Sequence, residues 1–174
     1  MAKTHWVFGY GSLMWRPGFE FVSAQPAKIF GFSRSLCVHS YHYRGSEKNP
    51  GLVMGLKSGG SCHGIAFEVA EENWPETLQY LRDREQVTMV YREIAVVLHF
   101  VDQRPSTSAL TYAVDIAHDQ YAGDLKADEI FDLIRHGEGV SGTCMDYVRN
   151  TLAHLRTHNI HDCKLELIGR ELKL

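Results

Sequence analysis

One carboxylate in this chain stands where carboxylates are rare. Trp74, Leu78, Leu81 and Glu85 are spaced four, three and four residues apart, which puts all four on one face of a helix. Three of them are large and apolar, so the face is directed at a core. A glutamate closing such a stripe is unusual unless it is paired, protonated or at work on a pocket edge. It falls at the C-terminal end of the helix, where the dipole disfavours an anion, and desolvation raises its pKa further. Both effects suit a general acid or base near neutral pH. The spacing leaves other arrangements open: Glu85 paired with Arg82 or a more distant cation, or facing water beyond the helix end.

A second group lies near the N-terminus. The apolar run Trp6-Val7-Phe8 passes directly into Gly9-Tyr10-Gly11-Ser12. Apolar β-formers running into glycines predict a buried strand that ends in a tight loop. Glycines let the backbone come close to a ligand, and successive amides in such a loop can cradle a carboxylate or phosphate. The same four residues equally describe an ordinary strand-to-turn junction.

Other constellations fail on spacing. Gly9 and Gly11 follow a strand, but no third glycine completes a dinucleotide fingerprint and Trp15-Arg16-Pro17-Gly18 does not open a helix. There is no P-loop and no Gly-x-Ser-x-Gly elbow. His154 and His158 are four apart on a predicted helix, with His161 and Cys163 nearby, yet cations at a helix C-terminus explain them as well as a metal does. His39 and His42 bracket Tyr41 at a strand end, where alternation sends them to opposite faces. Cys37, Cys62, Cys144 and Cys163 contain no C-x-x-C pair. No metal site is expected.

The elements that must position these residues follow from pattern. Gln25–Phe30 and Phe32–His39 are expected as short strands parted by Gly31. Residues 41–51 form a polar, turn-rich loop. Leu52–Leu56 and His63–Val69 are expected as two strands joined in a hairpin by Ser58-Gly59-Gly60-Ser61. Glu71-Glu72-Asn73 opens the Glu85 helix, with Pro75 in its first turn. Strands are expected at Ile94–Val101 and Leu110–Ile116, and helices at Asp124–Arg135 and about Thr143–His158, the latter capped near Ser141. The tail from Lys164 has no clear pattern. Hairpins mixed with a few helices, without regular βαβ alternation, indicate an α+β fold whose mixed or antiparallel sheet curls toward a small barrel.

Length and composition agree with one domain over residues 1–174. The chain is 44% hydrophobic and 22% charged, ordinary for a globular protein. A net charge of −3 gives no electrostatic reason to expect a nucleic acid or an anionic membrane as partner. No apolar stretch approaches the roughly 20 residues of a membrane span, and the first residues carry no signal pattern. A cytoplasmic protein with free thiols is the expectation.

Taken together in order, several segments resemble one family. Val7-Phe8-Gly9-Tyr10-Gly11-Ser12-Leu13-Met14-Trp15-Arg16-Pro17 is similar to the opening signature of the ChaC-like γ-glutamylcyclotransferases. Arg44-Gly45-Ser46 and Pro50-Gly51 resemble that family's middle loop. Leu81-Arg82-Asp83-Arg84-Glu85 resembles the helix that carries its catalytic glutamate. Gly139-Val140-Ser141-Gly142, followed by Asp146-Tyr147, resembles its C-terminal element. One departure stands out: many members have Arg after the middle-loop Pro-Gly, where this chain has Leu52, so Arg44 or Arg34 would have to take its place.

The resemblance implies a small β-barrel flanked by helices, no metal or organic cofactor, and cleavage of a small γ-glutamyl substrate, glutathione first among them, to 5-oxoproline. It implies Glu85 as general acid/base, backbone donors from Tyr10, Gly11, Ser12 and Leu13 for the substrate α-carboxylate, and a hydrogen bond from Tyr147 at the reacting end. Beside what the resemblance implies, Arg44 is a candidate for the substrate's glycine carboxylate. The absence of a Ser or Cys triad agrees with a reaction whose nucleophile is the substrate's own amine. The sharpest expectation is geometric: the Tyr10–Leu13 backbone and the Glu85 carboxylate line one pocket.

Overall fold

A computed structural model describes residues 4–174. Contacts within the chain divide it into two compact units. One comprises the segment up to Arg34 together with Leu56–Asp115; the other comprises Ser35–Gly55 and Ile116–Leu174.

The first unit is built on a closed five-stranded barrel. Its strands are β1 (Thr4–Gly9), β2 (Ser23–Ser40), β3 (Gly51–Ala70), β4 (Tyr91–Phe100) and β5 (Thr107–Val114), in the spatial order β1-β3-β2-β4-β5. β1 runs antiparallel to β3, with Val7 opposite Phe67, and meets β5 in parallel at Leu110. β4 pairs antiparallel with β5 from Tyr91 to Leu98 and with β2 through Ala27–Phe100. The α+β fold with a small mixed barrel is the one the sequence pattern leads to. Alternation explains the barrel core: Val7, Ile29, Ile65, Leu98 and Tyr112 are all within 2% of full burial.

Two glycine-marked breaks did not become breaks. Gly31, with φ of 84°, sits inside a continuous 18-residue β2. Gly59 and Gly60, with φ of 99° and 78°, bend a continuous 20-residue β3 rather than reversing it. The expected hairpin at Ser58–Ser61 is therefore absent. Glycine in the left-handed region permits a kink or bulge within a strand as readily as a turn, and the ladder neighbours decide which. β2 begins in the first unit and ends in the second, and β3 begins in the second and ends in the first.

After β3, a single 3₁₀ turn at Glu71–Asn73 leads into α1 (Trp74–Glu85). Pro75 takes the early position where a missing amide costs nothing. Leu81 is fully buried on the predicted stripe and Trp74 stacks against His5 with ring centroids 4.4 Å apart. Burial of a leucine of this kind contributes roughly 1.5–3 kcal/mol, enough to fix which face of α1 turns inward.

The second unit holds α2 (Ala127–His136), a two-residue ribbon of β6 (Glu138–Gly139) and β7 (Gly142–Thr143), α3 (Cys144–Thr157) and α4 (Cys163–Leu172). α2 and α4 both pack on α3, whose Val148, Leu152 and Leu155 are buried. The cap of α3 is Thr143, whose hydroxyl accepts from the Asp146 amide at 3.1 Å; Ser141 is not the cap. The patternless tail is α4, capped by Asp162, which accepts from the Leu165 amide. Its hydrophobic face is short, and close packing of Gly169 under Leu152 rather than a long apolar stripe seats it.

Candidate active site

Gly9 ends β1, and the next residues form a 3₁₀ turn at Ser12–Met14. The bonds that close the turn come from the amides of Met14, Trp15 and Arg16, which reach the carbonyls of Gly11 and Ser12. The amides of Ser12 and Leu13 precede those bonds, so the turn itself gives them no acceptor. Leu13 and Met14 bury their side chains and anchor the turn from below, while Ser12 remains partly exposed. The Tyr10 side chain is committed elsewhere: its hydroxyl donates to the Tyr112 carbonyl at 2.8 Å, and its own carbonyl accepts from Arg34 Nε at 2.6 Å. Tyr10 thus contributes its backbone, not its phenol, to this loop.

Past the turn the chain packs through aromatic edges. Phe19 and Phe21 both meet Phe67, and Phe19 also meets Tyr80 of α1. Gly18, at φ of 77°, passes so close to Tyr80 that an added Cβ would lie 2.0 Å from the phenol oxygen. Only glycine satisfies both that backbone conformation and that approach.

Glu85 is the last residue of α1, with its side chain 16% exposed. Its partner is Arg84, whose Nε lies 3.2 Å from Glu85 Oε1. Arg82, an alternative that the spacing left open, instead makes a two-pronged pair with Glu93 at 2.9 Å. Burial pushes the Glu85 carboxyl above its ordinary range, while the charge and hydrogen bond of Arg84 pull it partway back. Glu85 also acts on Tyr112: burial first, then the charges of Glu93 and Glu85, hold that phenol well above its normal pKa. Tyr112 stays a neutral hydroxyl, and it donates to Glu93 at 3.3 Å.

The two sequence signals meet through Arg84. Its Nη2 donates to Ser12 Oγ at 3.0 Å, and its Nη1 to the carbonyls of Arg16 and Pro17 at 2.5 and 3.2 Å and to the Tyr80 hydroxyl at 2.9 Å. One guanidinium touches both the turn and the carboxylate. Sequence reasoning passed over Arg84 as a functional residue. The available signal was its place directly before Glu85 and four residues after Tyr80; what hid it was the usual divergence of neighbouring side chains on a helix.

In the second unit, Arg44 and Tyr147 come together, with the guanidinium carbon 5.7 Å from the centre of the ring. Arg44 Nη1 donates to the Thr143 carbonyl at 3.3 Å. The Tyr147 hydroxyl accepts from the Met54 amide at 3.1 Å. Leu52 is fully buried; its amide approaches Cys144 Sγ at 3.3 Å and its carbonyl accepts from that thiol at 3.0 Å. Glycines let the loop of residues 40–51 fold tightly on itself and approach the backbone of the 137–144 segment. A Cβ on Gly45 would fall 2.0 Å from the Gly51 amide nitrogen, one on Gly51 would fall 2.0 Å from the Arg44 carbonyl, and one on Gly139 would fall 2.2 Å from the His42 carbonyl. Among the described residues, no group of three or more His, Cys, Asp or Glu is placed to hold a metal ion. No helix among them is long and apolar enough to cross a membrane.

The barrel and its α+β surroundings define a γ-glutamylcyclotransferase-type fold. A yeast γ-glutamylcyclotransferase specific to glutathione superposes with a TM-score of 0.87 over 95% of this chain and 93% of that one, at 22% identity. The family model for ChaC-like proteins matches residues 5–173, and the chain belongs to that family. The glutathione-specific γ-glutamylcyclotransferase of Escherichia coli is 34% identical over 143 residues, which cover 82% of this chain and 62% of that protein. Glutathione-specific γ-glutamylcyclotransferase 1 of Danio rerio is 32% identical over 154 residues, 87% of this chain and 79% of that protein. The corresponding rat protein is 33% identical over 82% of this chain, which spans 66% of its length. The chain thus spans less than two thirds of the length of the Escherichia coli and rat relatives.

Proposed function

We propose that this chain is a γ-glutamylcyclotransferase that releases 5-oxoproline and Cys-Gly from glutathione, with Glu85 as its general acid/base. The observation that carries the reading is the nearly buried Glu85 carboxylate, tied through one guanidinium to the Ser12 turn. Family membership and the names of the relatives support the choice of substrate.

In this reaction the substrate's α-amine attacks its own γ-carbonyl carbon. A carbon–nitrogen bond closes the five-membered lactam, and the γ-amide bond to cysteine breaks. The nucleophile is intramolecular, so the protein's main task is to fold the substrate into a near-attack shape. The ammonium must lose a proton, and the departing amine must gain one. Glu85 takes the first and delivers the second, which returns it to its starting state. Its buried setting serves both halves: desolvation strengthens the carboxylate as a base, and Arg84 favours its ionised form. The Ser12 and Leu13 amides, with those of Tyr10 and Gly11, are assigned to the substrate α-carboxylate. Ser12 Oγ accepts from Arg84, which leaves the hydroxyl hydrogen available to donate. Tyr147 carries the contact at the reacting end that the family resemblance assigns it, and Arg44 is the candidate for the glycine carboxylate.

A second substrate reading has one observation in its favour. The residue after Pro50-Gly51 is the buried Leu52, and Arg34 already serves the carbonyls of Tyr10 and His63. A glycine carboxylate would then depend on Arg44, and γ-glutamyl amines without that carboxylate would fare comparatively well. The deciding experiment incubates pure protein with glutathione, γ-glutamyl-alanine and γ-glutamyl-lysine and measures 5-oxoproline, with Glu85→Gln as control. Release from glutathione above the other two supports the first reading; release from the others alone replaces the substrate. Binding without any release would leave a γ-glutamyl binding module.

A further inference from the structure

We propose that Arg84 is a positioning residue that sets the Ser12–Pro17 segment, whose first amides are assigned to the substrate, and the Glu85 carboxylate as one unit. The inference rests on the cyclotransferase reading above and assigns a role to a residue that does not itself react.

The geometry supports it donor by donor. The guanidinium gives one edge to the acid/base, through Nε and Glu85 Oε1 at 3.2 Å, and another to the turn, through Nη2 and Ser12 Oγ at 3.0 Å. Its remaining nitrogen reaches three more oxygens, on Arg16, Pro17 and Tyr80. Arg84 itself is only 19% exposed, so these bonds are made largely out of water, where they hold geometry firmly. A planar fork can address two directions at fixed angles; a lysine ammonium is a single point and cannot. Tyr80 completes the brace, since its phenol rests on Gly18 and fixes the end of the turn from below.

This arrangement ties binding to chemistry. The amides that would hold an α-carboxylate and the carboxylate that would accept the neighbouring ammonium proton sit on different elements, the end of β1 and the end of α1. The substrate's α-carboxylate and α-amine share one carbon, so their two receptors must keep a fixed separation. Arg84 spans that separation. It is also the cation facing Glu85, while Tyr112 of β5 faces it as a neutral phenol. Loss of the guanidinium therefore removes the group that, among the described residues, favours the ionised base.

The test uses the full chain. Arg84→Gln is expected to lower kcat/KM roughly 10²-fold, the scale for a misplaced catalytic geometry, through both a higher KM and a lower kcat. The rising limb of its kcat–pH profile is expected to move to higher pH, because Glu85 is harder to ionise without the cation. Arg84→Lys, which keeps charge but not the fork, is expected to leave that limb near the wild-type position while KM stays high. A carbon-13 titration of the Glu85 carboxyl in wild type and Arg84→Gln gives a readout that needs no turnover, with a higher midpoint expected in the variant. An unmoved titration midpoint, or an unmoved pH limb together with an unchanged KM, overturns the proposal; if Arg84→Gln does not fold, wild-type KM in Arg84→Lys overturns it. Failure of the cyclotransferase reading shows differently: the wild-type protein then releases no 5-oxoproline, whatever the titration of Glu85.

Discussion

The two units hold their family-signature residues by opposite means. In the first, charge and hydrogen bonds do the holding: Arg84 grips Ser12, two loop carbonyls, Tyr80 and Glu85. In the second, the middle loop closes on itself at Gly45 and Gly51 and meets the 137–144 segment at Gly137 and Gly139, all places where a Cβ would strike backbone. The carboxylates differ in the same sense. Glu85 is buried with one cation, and its pKa is raised. Asp146 is half exposed, and the Thr143 hydroxyl with Arg149 lowers its pKa. A polar brace can be tuned by protonation and yields gradually when altered. A steric fit has no such adjustment and fails as soon as an atom is added.

That contrast can be tested at several strengths. Glu85→Gln is expected to produce the largest change, a loss of roughly 10²–10⁴-fold in turnover with the fold retained, or about 3–5 kcal/mol of transition-state stabilisation. A folded Glu85→Gln protein that turns over at the wild-type rate removes Glu85 from the chemistry and with it the reason for the brace.

Gly45→Ala comes next and acts on stability. Its Cβ would meet backbone at 2.0 Å, so the loop has to move; a loss of about 3 kcal/mol or more is expected in urea unfolding. A loss under about 1 kcal/mol would show that the loop has slack and that the steric account of the second unit is wrong. Tyr147→Phe should cost less, about 1–3 kcal/mol, because it leaves the Met54 amide without the phenol oxygen. The same variant assayed for 5-oxoproline tests the role at the reacting end: a stability loss with unchanged kcat would confine Tyr147 to holding β3.

The smallest expected effect is in pH dependence. For Glu85, with its folded pKa raised, the native state holds the proton more strongly than the unfolded chain. Its contribution is therefore favourable at low pH and is lost as pH rises from the ordinary carboxylate range through the folded value. The thermal midpoint of Glu85→Gln should gain on wild type as pH goes from about 4 to about 8. Asp146 has the opposite sign: its stabilisation is present above the ordinary carboxylate range and is lost as pH falls through the lowered value. Asp146→Asn should accordingly lose on wild type as pH rises from the lowered value through the ordinary carboxylate range, below about pH 5, and a gain there in place of a loss would erase the distinction between the units.

What was legible in the sequence was what repeats or alternates. The stripe from Trp74 to Glu85, the strand into Gly9 and the strong β4 and β5 patterns all correspond to observed elements. What was not legible depended on partners distant in the chain. Gly59-Gly60 carries the local chemistry of a hairpin, and only the ladders flanking β3 make it a bend. Thr143 caps α3 in place of Ser141 because the β6–β7 ribbon carries the chain two residues further before the helix starts. α4 has no long apolar face to announce it, since its seat depends on Gly169 lying against Leu152. At the site, the Glu85 stripe was visible and the residue that holds it was not. A guanidinium can fold back on its own neighbour, and helical periodicity contains no term for that.

The thiol of Cys144 carries a consequence for the solution chemistry of a protein proposed to consume glutathione. Burial pushes it up to about 11, and its hydrogen is committed to the Leu52 carbonyl at 3.0 Å. Thiol–disulfide exchange proceeds through the thiolate, which this sulfur hardly ever forms. Among the four cysteines Cys163 alone is exposed, so it is where a mixed disulfide with an oxidised substrate would form, while Cys144 remains reduced beneath the middle loop.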